Sequence, residues 1–157
     1  DADVLPAEPD FYARALAAFA RRGAEVGTVR FIPEARTWPD RAFHWLYHAS
    51  VRLMAPWVPH AGGGCIFVKR AWHERVGGFD ETVVFAEDME YVQRLKSVGA
   101  RFAYLSDPAL IVSVRRLRKD GYGRTICRFL RAEWRMRTRG PIRVPLFPYE
   151  FDQYAKR

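Results

Sequence analysis

The sequence predicts an α/β domain, and three observations carry the prediction. Stretches with apolar residues at helical spacing alternate with short strand-like runs, most of them closed by Gly or Pro. The 157 residues, 49% of them hydrophobic, are one domain's worth of chain and suffice to bury a core. No run approaches the roughly 18 apolar residues of a membrane span, and neither an internal repeat nor a low-complexity segment interrupts the alternation. Cys65 and Cys127 lie far apart without metal-ligand spacing and read as reduced thiols of a cytosolic protein. The acidic start has nothing of a signal peptide.

The first stretch, Asp1-Ala2-Asp3-Val4-Leu5-Pro6, puts two carboxylates two residues apart, on the same side of an extended backbone. Such a pair suits one hard cation, Mg2+ or Mn2+, shared with substrate phosphates. Residues 9–22 form a helix with Phe11, Leu16, Phe19 and Ala20 apolar and Gly23 as its stop. Residues 26–32 alternate as a strand that Pro33 closes. Residues 38–54 read as a helix with Pro39 at its start and Phe43, Leu46, Tyr47, Ser50, Val51 and Met54 on one side. His44 and His48 share that helix four residues apart, but no glutamate follows the first, so they read as packing or surface histidines. Residues 59–64 are a loop whose Gly62, Gly63 and Gly64 permit close backbone approach, and 65–70 a buried strand. A short helix over 71–76 leads into Gly77-Gly78, Phe79 fills the core, and Asp80-Glu81 caps the turn. Further on come a strand over 101–105, a turn at Ser106-Asp107-Pro108 and a strand over 109–114.

Between them lies the stretch around which the chain is organised. From Met89 the apolar positions Val92, Leu95 and Val98 recur at helical spacing, Glu90, Gln93, Arg94 and Ser97 take the wet face, and Gly99 is the stop. Asp88 stands four before Val92 and seven before Leu95, so its carboxylate continues the inward stripe. An inward carboxylate costs free energy unless something needs it there. On spacing alone the alternative stays open that Glu87, Asp88 and Glu90 only complement the helix dipole.

Gly77-Gly78-Phe79-Asp80-Glu81 followed by Glu87-Asp88, with Asp1-Ala2-Asp3 upstream, resembles the signatures of the family 2 glycosyltransferases. The resemblance implies the GT-A fold and transfer of a sugar from a nucleotide-sugar donor to an acceptor hydroxyl on a glycan, a lipid-linked carrier or a small molecule, with inversion. It implies Asp88 as general base with Glu87 orienting the site, and Asp3 with Asp1 as holders of Mg2+ or Mn2+. It further implies Gly63, Gly64 and Gly78 as walls of the acceptor and sugar pocket. Many members carry a histidine near the end of the last strand. This chain instead has Ser113-Val114-Arg115-Arg116, resembling a subgroup in which arginines bind the diphosphate, followed by a Gly121-Tyr122 step into a helix. The strand-helix repeats that hold the nucleotide precede the Asp-x-Asp motif in the family. Residues 1–114 are therefore read as the acceptor-side half of an incomplete GT-A domain with a mixed sheet, inactive alone, and 115–157 as a basic helix and tail.

The net charge of +8 sits in that last segment: from Val114 onward 13 Lys or Arg face 4 acids, while the first 113 residues are nearly neutral. Residues 124–139 make a helix whose Ile126, Phe129, Leu130 and Trp134 form an apolar stripe among Arg128, Arg131, Arg135 and Arg137. The pattern fits an anionic membrane surface, at the inner face of the cell membrane, and equally a helix packed on the domain with snorkelling arginines. Two rival readings follow, a noncatalytic basic binding domain and a peripheral membrane module. No nucleic-acid-binding signature is present, so nucleic acid is not expected as a partner. The aromatic, proline-broken residues 141–157 predict no regular structure.

Overall fold

Valine, isoleucine and phenylalanine concentrate in residues 26–33 and 102–112, and these two runs pair in parallel at the centre of a mixed four-stranded sheet. The computed structural model describes residues 3–35 and 37–144. Within them the chain runs β1 (Val4–Pro6), α1 (Phe11–Arg21), β2 (Val26–Pro33), α2 (Trp38–Met54), β3 (Phe67–Val68), α3 (Arg70–Arg75), α4 (Glu87–Ser97), β4 (Phe102–Val112), α5 (Arg115–Asp120) and α6 (Tyr122–Arg139). The strand order is β1-β4-β2-β3, with both edge strands antiparallel to their neighbours. A parallel pair needs a crossover, and the segment from α2 to α4 supplies it.

Helices cover both faces of the sheet. Phe11, Ala15 and Phe19 of α1 pack with Val29, Phe31, Ala103, Leu105 and Leu110. Tyr91, Val92 and Leu95 of α4 pack with Val26, Ala61 and Ala100, and Phe102 lies against them. Phe102 and Ala103 are successive strand residues and so point to opposite sides, which sets α1 on one face and α4 on the other.

Several expectations change in three dimensions. The two strands and turn expected over 101–114 are one strand: Val29 pairs with Leu105 and Arg30 with Ala109, so Ser106-Asp107-Pro108 loops out as a bulge without ending the ladder. The expected strand 65–70 shrinks to Phe67–Val68, since the loop before it is held by Gly62 and by Thr28 Oγ1, which donates to the Cys65 carbonyl at 2.8 Å. Glu90, expected on the wet face, is buried: Arg94 Nε donates to its carboxylate at 2.7 Å, and the same guanidinium donates to the Val76 and Gly78 carbonyls at 2.5 and 2.8 Å. Phe79 does not fill the core; it stacks on Tyr91 with ring centroids 4.1 Å apart and stays half exposed. Leu16, Leu46 and Val98 are exposed, Ala15 taking the inward position on α1.

Other elements follow the pattern closely. α2 spans the expected residues, with Pro39 in its first turn. Gly99 stops α4 at φ +99°, where the Ala100 N–H returns to the Leu95 carbonyl. Asp80 accepts from both the N–H and the hydroxyl of Thr82, closing the expected turn. Both cysteines are free. His44 and His48 are packed: His44 Nδ1 bonds the Asp40 carbonyl at 2.8 Å and His48 Nε2 donates to the Phe31 carbonyl at 2.7 Å. Burial lowers the pKa of both imidazoles and favours their neutral forms.

Candidate active site

Asp88 is the second residue of α4, and the helix start around it is built under strain. Ala86, the N-cap, has φ +57° and ψ +38°, the left-handed conformation that a side-chain-bearing residue adopts at a cost of roughly 1–2 kcal/mol. That turn sets Glu87 outward in solvent and Asp88 half inward, toward the glycine loop. The Met89 N–H donates to Asp88 Oδ1 at 2.8 Å, and the backbone at Gly63 also favours the charged carboxylate. Burial pushes the Asp88 carboxyl up to about 6; nearby Glu87 adds to the rise, and the backbone N–H groups oppose it.

The glycine loop joins this carboxylate to the strand edge. A Cβ on Gly63 would stand 3.3 Å from Asp88 Oδ2, and one on Gly64 would stand 3.0 Å from both Val4 Cγ1 and Phe31 Cε1. The absence of side chains there lets the loop lie between the start of α4 and the start of β1. Tyr47 borders the same loop, its hydroxyl 3.3 Å from where a Gly62 Cβ would stand. Burial, with the Asp88 charge, raises the Tyr47 pKa and keeps the phenol protonated.

Asp3 directly precedes β1, where the Ser113 N–H donates to its carbonyl at 3.0 Å. Its side chain meets Arg115: Nη2 donates to Asp3 Oδ1 at 3.1 Å. The acidic motif and the arginine motif, more than a hundred residues apart in sequence, thus meet at one end of the sheet because β1 and β4 are antiparallel. Arg115 and Arg116 open the short helix α5 and do not extend the strand. Asp1 lies outside the described residues. Among the described residues no three His, Cys, Asp or Glu side chains cluster as metal ligands, so Asp3 is the one carboxylate of the expected pair in view. It is half exposed, and among the described residues its side chain accepts from Arg115.

Beside the loop opens a cavity of about 320 Å³ lined by Gly63, Ile66, Val68, His73, Phe79 and Tyr91. His73 Nδ1 and the Tyr91 hydroxyl are hydrogen-bonded at 2.6 Å, and the His73 ring borders Gly78, whose φ is +75°. Gly63 thus faces both the cavity and Asp88, Gly78 flanks the cavity through His73, and Gly64, half-buried, lies against Phe31 and Val4.

The polar centre at Asp40 was not legible in the sequence. Asp40 of α2 is fully buried and accepts from Thr37, from Arg118 Nη2 at 2.6 Å and from the Tyr122 hydroxyl at 2.7 Å. Arg118, first among these partners, holds the Asp40 carboxyl far below the usual range. This clamp fixes α5, and with it Arg115, relative to the sheet. Only the spacing Thr37-x-x-Asp40 hinted at it, and that reads as an ordinary helix start. Compared with known proteins, the chain matches no protein-family model and no curated protein.

Proposed function

We propose that the chain carries the acceptor side of a GT-A glycosyltransferase of the family 2 type, transferring a sugar from a nucleotide-sugar donor to an acceptor hydroxyl with inversion. The observation that carries the reading is Asp88: a carboxylate held half inward by a strained helix start, beside a glycine loop and an aromatic-lined cavity, with its pKa raised toward neutrality. A base poised near the working pH is what proton abstraction from a hydroxyl requires. In this scheme the acceptor lies in the cavity over Phe79 and Tyr91, and its hydroxyl proton passes to Asp88. The acceptor oxygen bonds the anomeric carbon as the bond to the diphosphate breaks, and the electron pair departs with the diphosphate. Arg115, joined by Arg116, answers the charge of that leaving group, while Asp3 orients Arg115. Mg2+ or Mn2+ belongs to the proposal as an ion held by Asp3 with Asp1, offsetting diphosphate charge when bound. Glu87, solvent-facing beside Asp88, tunes that carboxyl through its charge.

The test measures turnover and nucleotide affinity of the protein and its variants with nucleotide-sugar donors. Asp88→Asn keeps the shape and removes the base, so turnover is expected to fall by about 10² to 10⁴ while nucleotide binding holds. Asp3→Asn is expected to weaken metal-dependent nucleotide binding itself. Near-normal turnover of Asp88→Asn overturns the assignment.

A further inference from the structure

The chain has five tryptophans, and four lie in solvent: Trp38 is 79% exposed, Trp45 71%, Trp57 75% and Trp134 72%. Three of them belong to α2 and the residues just after it. At 100° per residue Trp38, Arg41, Ala42, Trp45, Leu46, Arg52 and Leu53 fall within one arc of about 140°, opposite the buried Asp40, His44 and Val51. On α6 the exposed Leu130 and Trp134 stand four apart, with Arg124, Arg131 and Arg137 on the same side and Ala132 buried on the other. The helices are tied together at two places. Near the start of α2, Tyr122 bonds Asp40 and its ring lies 5.9 Å from that of Phe43; beyond its end, His60 Nε2 meets Glu133 at 2.9 Å. Both helices therefore share one flank of the domain.

Charge selects the occupant. Residues 38–57 and 121–144 contain nine arginines and two acids, and both acids are turned inward and paired, Asp40 with Arg118 and Glu133 with His60 and Arg137. Neither outward face carries a carboxylate. Tryptophan and leucine among arginines are suited to the headgroup level of a bilayer, where rings and stems are buried while guanidinium groups meet phosphate. Nucleic acid would use the arginines but not the leucines. Among the described residues no helix is long and apolar enough to cross a membrane, and the proposed contact is an interfacial one. We propose that the outward faces of α2 and α6 together form a binding surface for anionic phospholipid bilayers. This proposal is independent of the transferase reading.

Flotation of the 157-residue chain with phosphatidylglycerol–phosphatidylcholine vesicles tests it. Binding is expected at low salt, falling steeply with added salt and with pure phosphatidylcholine vesicles. Brominated lipid is expected to quench the tryptophan emission of the bound chain. Arg124→Glu with Arg131→Glu should weaken binding by about tenfold or more, whereas Arg21→Glu with Arg22→Glu, the same charge change at the end of α1, should not. Trp45→Ala with Trp134→Ala should also lose binding at unchanged charge, with circular dichroism confirming the fold. Failure to float, equal loss in the two charge-reversal pairs, or absence of quenching overturns the proposal. So does displacement by duplex DNA at equal phosphate without a change in emission. A dimer that disperses on Trp45→Ala would assign the face to a second copy instead.

Discussion

At the residue scale the behaviour of Asp88 follows from its burial. Its folded-state pKa of about 6 exceeds the unfolded carboxylate value, so the folded protein holds the proton more tightly. Its contribution to stability is complete below about pH 4 and is lost as pH rises toward 6. Asp88→Asn is therefore expected to gain stability at pH 7, on the order of 2 kcal/mol, with little gain at pH 4. Urea unfolding of both proteins at the two pH values measures the difference. A carboxylate that only complemented the helix dipole would show the reverse, a small loss. If Asp88 is the base, turnover should also rise with pH through about 6 and level off above it.

The elements make their own predictions. α4 begins from a left-handed alanine, so Ala86→Gly should release strain and raise stability by about 0.5–1 kcal/mol, read as a shift in the urea midpoint at constant slope. α5 and α6 are held to α2 by the buried Asp40 carboxylate. Tyr122→Phe removes one of its donors without changing shape and is expected to lower stability. Hydrogen exchange should show that loss concentrated in α5 and α6 if the clamp is local. The glycine loop is packed against β1 and β2, and Gly64→Val, which drives a branched side chain against Phe31 and Val4, should cost about 1–3 kcal/mol.

For the whole molecule, the pH dependence of stability is set by opposing carboxylates. Glu25 accepts two bonds from the Arg101 side chain and one from its backbone, with Lys69 nearby, and its pKa is held at about 2. Asp40 is depressed in the same sense. A lowered carboxylate pKa gives stability that is present above its unfolded value, near 4, and lost as pH falls toward the folded value. These two groups therefore predict acid unfolding between about pH 4 and 2, opposite in sign to Asp88 and over a lower range. Glu25→Gln should flatten the acid limb of a pH series of thermal midpoints while leaving the change between pH 4 and 6 in place.

Local chemistry alone determined the boundaries of α2, the presence of α1 and α4, the Asp80 turn and the Gly99 stop, because periodicity, caps and glycine act within a few residues of one another. The inward turn of Asp88 was legible for the same reason, as a phase on a single helix. What needed the tertiary structure was every contact made across the chain. The joining of residues 102–112 into one strand depends on β2 beside it, which holds the ladder in register on both sides of the Ser106–Pro108 bulge. Burial of Glu90 depends on Arg94 reaching the carbonyls at Val76 and Gly78. The meeting of Asp3 with Arg115, and of Asp40 with Arg118 and Tyr122, depends on strand pairing and helix docking that bring distant residues together. Sequence spacing shows which face of an element a residue occupies, whereas a partner beyond the next turn is decided by packing.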